Sequence, residues 1–392
     1  MLQLAPKPVY RFSSQVYELR LATEAEKIEK KIHEELKKLT RAVEQDEKDY
    51  YRNAHFAATS ASLTKHKSWL EKNWVKYSNV FAYPWDVKPE VICPRLELVE
   101  KPRQNDLFRI ARLTWSLPYS RGYGRRLDYL LWDDSNGKLM GILGLQSPPI
   151  SFPARDKEFH IPYDKKIVLV NQTMDAYTLG SLPPYNQLLA GKLLVLAAAS
   201  QDVRKDYEKR YDGKVTQMEG NILPSSLVAV TTLSAFGKSS IYNRVSRGTD
   251  KGKNRWAARS LGPCEGWGTF QFSDQLYQEM KAFYRLLCPN KQLSGFGTGP
   301  KIRLQVIKKV LQALRLPDNF GKHNIAREVF IIPHIENLDD VLSGTDQSPI
   351  FNDDSFTDLA LFWKERYCLP RSTTRSSTEG RHTLPAMLGL TR

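Results

Sequence analysis

The clearest pattern of apolar and polar positions lies between Ser226 and Gly268. Leu227 to Leu233 is an unbroken aliphatic and β-branched run of strand length. With no regular polar alternate, it predicts a strand covered on both faces, in the middle of a sheet. Ser234, Ala235, Phe236 and Gly237 end the run, and Ser239 or Ser240 is placed to cap a short helix carrying Ile241, Tyr242, Asn243 and Arg244. A basic loop and a second, glycine-punctuated strand follow. A corner of this kind brings hydroxyls, an amide and a guanidinium to a helix N-terminus, whose free N–H groups attract anions.

Elsewhere the period is mostly helical. Thr23 to Asp49 carries Ile28, Ile32, Leu36, Leu39 and Val43 on one face, with Thr23 and Glu26 spaced as a capping box, and its alternating Glu and Lys predict an exposed opposite face. Ala61 to Tyr77 is a second helix, and Pro84, Pro89 and Pro94 mark Ala82 to Arg103 as a connector. Asn105 to Leu117 predicts a helix, Leu127–Trp132 and Leu139–Leu145 a hairpin, Lys166 to Thr173 a strand, and Asn186 to Ala199 a buried helix. Further helices are expected over Phe270–Leu287, Lys301–Leu316 and Thr357–Tyr367, and a last strand over Glu328–Pro333. These elements divide the chain into a helical region and connector (1–103), an α/β core (104–290), a helix and strand extension of that core (291–371) and a disordered basic tail (372–392).

Composition changes this picture in one respect. The make-up is globular, with 41% hydrophobic and 11% aromatic residues, but the net charge is +15. That charge favours an anionic partner, either nucleic acid or an acidic protein surface. Much of it is concentrated in Lys238, Arg244, Arg247, Lys251, Lys253, Arg255 and Arg259, opposed locally by Asp250 alone, with Trp256 and Tyr242 interspersed. Cations among aromatics suit phosphate contacts and base stacking. Cys93, Cys264, Cys288 and Cys368 form no CxxC pair, and no run approaches the length of a membrane span, so a reduced, soluble, cytoplasmic protein without a structural metal is expected. The histidines have no metal-ligand spacing. A two-metal nuclease would draw on Asp128, Asp133, Asp134, Asp156 and Glu158, although a solvated hairpin turn accounts for Asp133 and Asp134.

Several blocks carry a family resemblance. TTLSAFGKSSIYNRV with LGPCEGWGTFQFSDQLY, PPYNQLLAGKLLVLAAAS, HNIAREVFIIPHIENLDDVL and FWKERYCLPR resemble the DruA family of Druantia anti-phage systems over roughly Arg103 to Arg371. The resemblance implies a role in bacterial phage defence beside other proteins of the system, including a large helicase-like one.

The order of hairpin, strand, helix, central strand, short helix and strand also resembles the acetyltransferase-like GNAT fold. That likeness implies an α/β (α+β) architecture with a mixed, largely antiparallel sheet that splays open at its centre, flanked by helices, here with a helical N-terminal extension. It further implies an acyl-CoA pyrophosphate on the N-terminus of the helix after the fourth strand. The matching stretch is NQLLAGK, in which Gln187, Gly191 and Lys192 are the candidate cofactor contacts, although two of the three fixed places of the Q/RxxGxG/A pattern are changed. Tyr242, Asn243 and Ser240 are the candidate catalytic groups, Tyr242 as a general acid. Two functions follow. The first is a basic nucleic-acid-binding (DNA or RNA) or complex-assembly subunit of the defence system. The alternative is an acyltransferase-like enzyme that modifies nucleic acid or a partner.

Overall fold

The computed structural model describes residues 14–45, 47–115, 124–216, 220–234, 239–248, 254–267, 272–290, 300–317, 320, 322–345, 348–374 and 383–390. Helices α1 (Ser14–Gln45) and α2 (Glu47–Tyr77) lead to strand β1 (Pro94–Leu98) and helix α3 (Pro102–Arg112). The hairpin β2 (Arg126–Asp133) and β3 (Lys138–Gln146) precedes two short helices, α4 (Pro153–Glu158) and α5 (Lys166–Asn171), and strand β4 (Thr173–Ser181). Next come α6 (Ala190–Ala198), α7 (Gln201–Tyr211), β5 (Ala229–Leu233), the ribbon β6 (Ser246–Gly248) and β7 (Asn254–Ala257), and β8 (Arg259–Trp267). The chain ends with α8 (Asp274–Leu287), α9 (Pro300–Ala313), β9 (Lys322–Pro333), α10 (Leu338–Leu342), α11 (Phe356–Trp363), α12 (Leu369–Thr374) and α13 (Leu384–Met387).

The chain forms two compact units, one from Met1–Arg52 and Glu265–Ile325, the other from Asn53–Cys264 and Ala326–Arg392. Elements distant in sequence share each core. In the first unit, Ile28 and Ile32 stand one turn apart on α1 and are buried against Leu276, Met280 and Phe283 of α8 and Val306 and Val310 of α9. Burying each isoleucine stabilises by roughly 1.5–3 kcal/mol. Lys31 donates to both oxygens of Glu279 at 2.7 Å. Ser273 caps α8 and donates to Glu35 at 2.5 Å.

The second unit is built on a seven-stranded sheet in the order β1-β2-β3-β4-β5-β9-β8. The pairs β1/β2, β2/β3, β3/β4 and β5/β9 are antiparallel, whereas β4 and β5 run parallel. Alternate residues face opposite sides, as the pleat requires. Met174, Val230, Phe330 and Ile332 meet Leu193, Leu196 and Trp363 in the largest core. On the other face, Leu130 and Ile142 pack with Leu70, Tyr77, Phe108 and Ile110, while Val228 and Ile331 pack with Phe159 and Leu342. No helix among the described residues is long and apolar enough to cross a membrane.

The structure corrects several expectations. Lys166 to Asn171 is helical, and the strand is Thr173–Ser181; a six-residue apolar run does not distinguish strand from helix by periodicity alone. Thr23 lies inside α1 and donates to the Leu19 carbonyl at 2.9 Å, so it caps nothing. Residues 240–244 form turns, not a helix. Asp133 is fully buried, accepting from Cys93 N, Ser135 and the Tyr185 hydroxyl, and is not a solvated turn residue. The tail is ordered over 383–390: Thr383 caps α13, and Leu384 and Leu388 are buried in the core under α2 and α3.

Candidate functional site where the central strands part

The β4/β5 ladder covers only Thr173↔Ala229 to Ala176↔Thr232, although β4 continues to Ser181. The parting coincides with a bulge. Against β3 the register jumps from Leu145↔Ala176 to Gly144↔Thr178, which leaves Tyr177 as the extra residue. Gly144 is required there, because a Cβ would lie 2.5 Å from the Tyr177 ring.

Asp175 sits in the row before the parting and is almost fully buried. Thr231 on β5 donates to its Oδ1 at 3.2 Å and Gln146 on β3 to its Oδ2 at 3.4 Å. Arg327 on β9 and Arg155 on α4 lie within electrostatic reach. Burial nevertheless dominates and raises its pKa to about 6. Arg327 donates through Nε to the Ser234 carbonyl at 2.7 Å, and Ser234 is itself stitched to Glu328 by its N–H (2.9 Å) and its hydroxyl (2.8 Å). The central strand end is thereby fixed.

Tyr242 projects into the opposite core with its ring 4.9 Å from Phe330 and its hydroxyl 3.5 Å from Thr232 Oγ1. Burial raises its pKa, so the phenol stays protonated at neutral pH. The turn that carries it lies across the N-terminus of α6. Lys192 donates to the Ser240 carbonyl at 3.1 Å and the Asn243 carbonyl at 2.6 Å, and a Cβ on Gly191 would touch Ile241 at 3.4 Å. Gln187 lies in the 3-10 turn Tyr185–Leu188 that precedes α6. Two non-glycine residues in the left-handed region bracket this contact, Leu189 (φ 60°) and Arg244 (φ 58°). Such conformers persist when neighbours hold them. Trp363 donates to the Leu189 carbonyl and Tyr367 to that of Arg244, each at 3.1 Å, from α11 and the π-helical turn after it.

The structure separates the sequence-predicted basic residues. Arg244 is exposed. Arg247 faces Asp354 at 3.5 Å and the Phe362 ring at 4.8 Å, and Arg259 forms a bidentate pair with Asp339 at 3.0 and 3.1 Å. Trp256 is buried and donates to Asp354 at 3.3 Å, so its ring belongs to the core and is not an open stacking surface. Lys238, Lys251 and Lys253 lie outside the described residues, as does the side chain of Arg255. The carboxylates weighed for a nuclease have separate partners: Asp128 takes Tyr177 and Arg126, and Asp156 takes Arg155 and Lys166. Among the described residues no group of three or more His, Cys, Asp or Glu is placed to hold a metal. The sequence reading missed Asp175, Arg155 and Arg327; the available signal was a lone carboxylate within TMDAYTLG, the strand beside the predicted central one.

These features define a mixed α/β protein with a buried polar centre at a parallel strand pair. The chain belongs to the DruA family: the family model described as Druantia protein DruA matches residues 45–344. It is also 35% identical over 357 residues to the Druantia protein DruA of Escherichia coli (strain UMEA 4076-1), covering 88% of this chain and 87% of that one. No solved structure matches.

Proposed function

We propose that this chain serves a Druantia anti-phage system as a nucleic-acid-binding subunit on a GNAT-like core whose cofactor position is closed by the protein itself. Family membership supports the defence role. The parallel pair β4/β5, with a helix after the fourth strand joining its members, supports the GNAT-like reading. The observation that carries the non-catalytic choice is Lys192. From the first turn of α6 its ammonium bonds two carbonyls of the Ser240–Asn243 turn, and Ile241 of that turn packs against Gly191, beside the N–H groups that an acyl-CoA pyrophosphate would need. The same turn keeps the Tyr242 hydroxyl enclosed.

The charge of +15 and the cation run from Lys238 to Arg259 support an anionic polymer as partner, with Arg244 as its exposed described member. DNA and RNA both satisfy that chemistry. Other proteins of the system, among them the helicase-like one, are the expected assembly partners. Binding of the purified full chain to duplex and single-stranded oligonucleotides across a salt series tests the proposal. A salt-dependent affinity supports it, and no binding at low salt overturns it.

A further inference from the structure

On the sheet face that carries Asp175, cations outnumber anions. Asp128 pairs with Arg126 at 3.3 Å, Asp156 binds Arg155 at 2.7 Å and Lys166 at 2.6 Å, and Asp175 faces Arg155 and Arg327. With Asp175 protonated and Asp128 matched by Arg126, the cluster sets Arg155, Lys166 and Arg327 against Asp156 alone, a surplus of two positive charges. Two buried polar atoms in this region also lack a partner. Arg155 is fully buried, yet its Nη1 has no hydrogen-bond partner among the described residues, and the same holds for the Thr178 hydroxyl, buried on β4 just past the end of the ladder. A buried donor in this condition calls for an explanation, a bound water or an anion among them. The bonds to Asp175 itself are long, at 3.2 and 3.4 Å, so its carboxyl is only loosely held.

We propose that Arg155, Arg327 and Asp175 form a phosphate-binding site beside the end of the β4/β5 ladder. A phosphate dianion balances the surplus charge once Asp175 is protonated. Binding therefore draws one proton from solvent onto Asp175, which then donates a hydrogen bond to a phosphate oxygen. The other groups facing Asp175 are Gln146 and Thr231, neither of which carries a charge. A free phosphate and the phosphorylated terminus of a nucleic acid present the same group to this site.

The test is a melting-temperature series of the full chain in sodium phosphate against sodium chloride at matched ionic strength, from pH 5.5 to 7.5. The expected result is a saturable rise in phosphate only, kept when Lys251, Lys253 and Arg255 are replaced by Ala and lost in Arg327→Gln. Asp175→Asn keeps a donor, so it retains the rise, which then follows only the second ionisation of phosphate itself and grows up to pH 7.5, whereas in the parent chain it falls off again as Asp175 ionises. This arm decides the matter should Arg327→Gln fail to fold. An equal rise in chloride, a rise that survives in cooperatively melting Arg327→Gln, or an unchanged pH dependence in Asp175→Asn overturns the proposal. Competition by 5′-phosphorylated against 5′-hydroxyl oligonucleotides separates the sources: preference for the phosphorylated strand assigns the site to nucleic-acid ends, and equal affinity assigns it to a small phosphate. Because the loop variant leaves this site intact, failure here is distinguishable from failure of the nucleic-acid reading.

Discussion

Lys192 Nζ lies 2.6 Å from the Asn243 carbonyl oxygen, which ties the first turn of α6 to the turn after the central strand. A lysine at a helix N-terminus opposes the helix dipole. Here its charge is used across the gap, on carbonyls whose residues connect β5 to the ribbon. The contact explains both why the turn holds Arg244 in the left-handed region and why the helix end faces protein.

Acetyl-CoA is therefore expected to leave the melting temperature unchanged. A ligand at 100 times its dissociation constant would stabilise by about 2.7 kcal/mol, a shift that differential scanning fluorimetry detects readily. Lys192→Met should lower stability by about 1 kcal/mol, since the ammonium is part-exposed and each such bond is modest in net terms. A clear acetyl-CoA shift in the unmodified chain would restore the acyl-transfer reading.

Val230 is fully buried between β4 and β9. Val230→Asp would bury an unpaired carboxylate at a cost of several kcal/mol, a large share of the stability of an ordinary domain. Circular dichroism should show loss of cooperative melting. A normally melting variant would mean the strand is not central.

Asp175 gives stability a pH dependence of definite sign. Its folded pKa, about 6, lies above the usual carboxylate value of 3.8, so the folded state binds the proton more tightly than the unfolded chain. Its contribution is neutral below pH 4, turns destabilising as pH rises from 4 to 6, and is complete above 6, on the order of 3 kcal/mol. Urea titrations at pH 5 and 7 should show Asp175→Asn gaining on the parent at the higher pH. Parallel curves would show that the carboxyl titrates normally.

Residues 1–52 hold α1, whose Ile28 and Ile32 cover α8 and α9. Removing them should expose Met280, Phe283, Val306 and Val310 together and give aggregating protein. A monodisperse truncation by light scattering would instead mark α1 as a surface for another protein.

What the sequence disclosed followed the strength of its patterns. Leu227–Leu233 and the hairpin around Asn136 and Gly137 were readable because β-branched runs and turn residues are local signals. Lys166–Asn171 was not, because its apolar residues serve a short helix as well as a strand, and the true strand was masked by Asp175, a residue that strands disfavour. The same carboxylate makes the site interesting, so propensity failed where burial overrode it. The polar centre depends on Arg155 and Arg327, far apart in sequence, and only the packing of α4 and the position of β9 in the sheet bring them to Asp175. Trp256 misled for the opposite reason: its position among cations is a fact of sequence, and its burial a fact of packing.

The salt dependence of nucleic-acid binding tests the central claim most directly. On a log–log plot the affinity should fall with a slope of about −0.9 per neutralised phosphate on duplex DNA, or about −0.7 on single strands. Replacing Lys251, Lys253 and Arg255 together by Ala should remove roughly two to three units from that slope and leave the melting temperature nearly unchanged, since surface charges contribute little to stability. Arg244→Ala should remove about one unit more. A triple variant whose slope matches that of the parent chain would contradict the account, and the positive charge would then belong to an acidic protein surface.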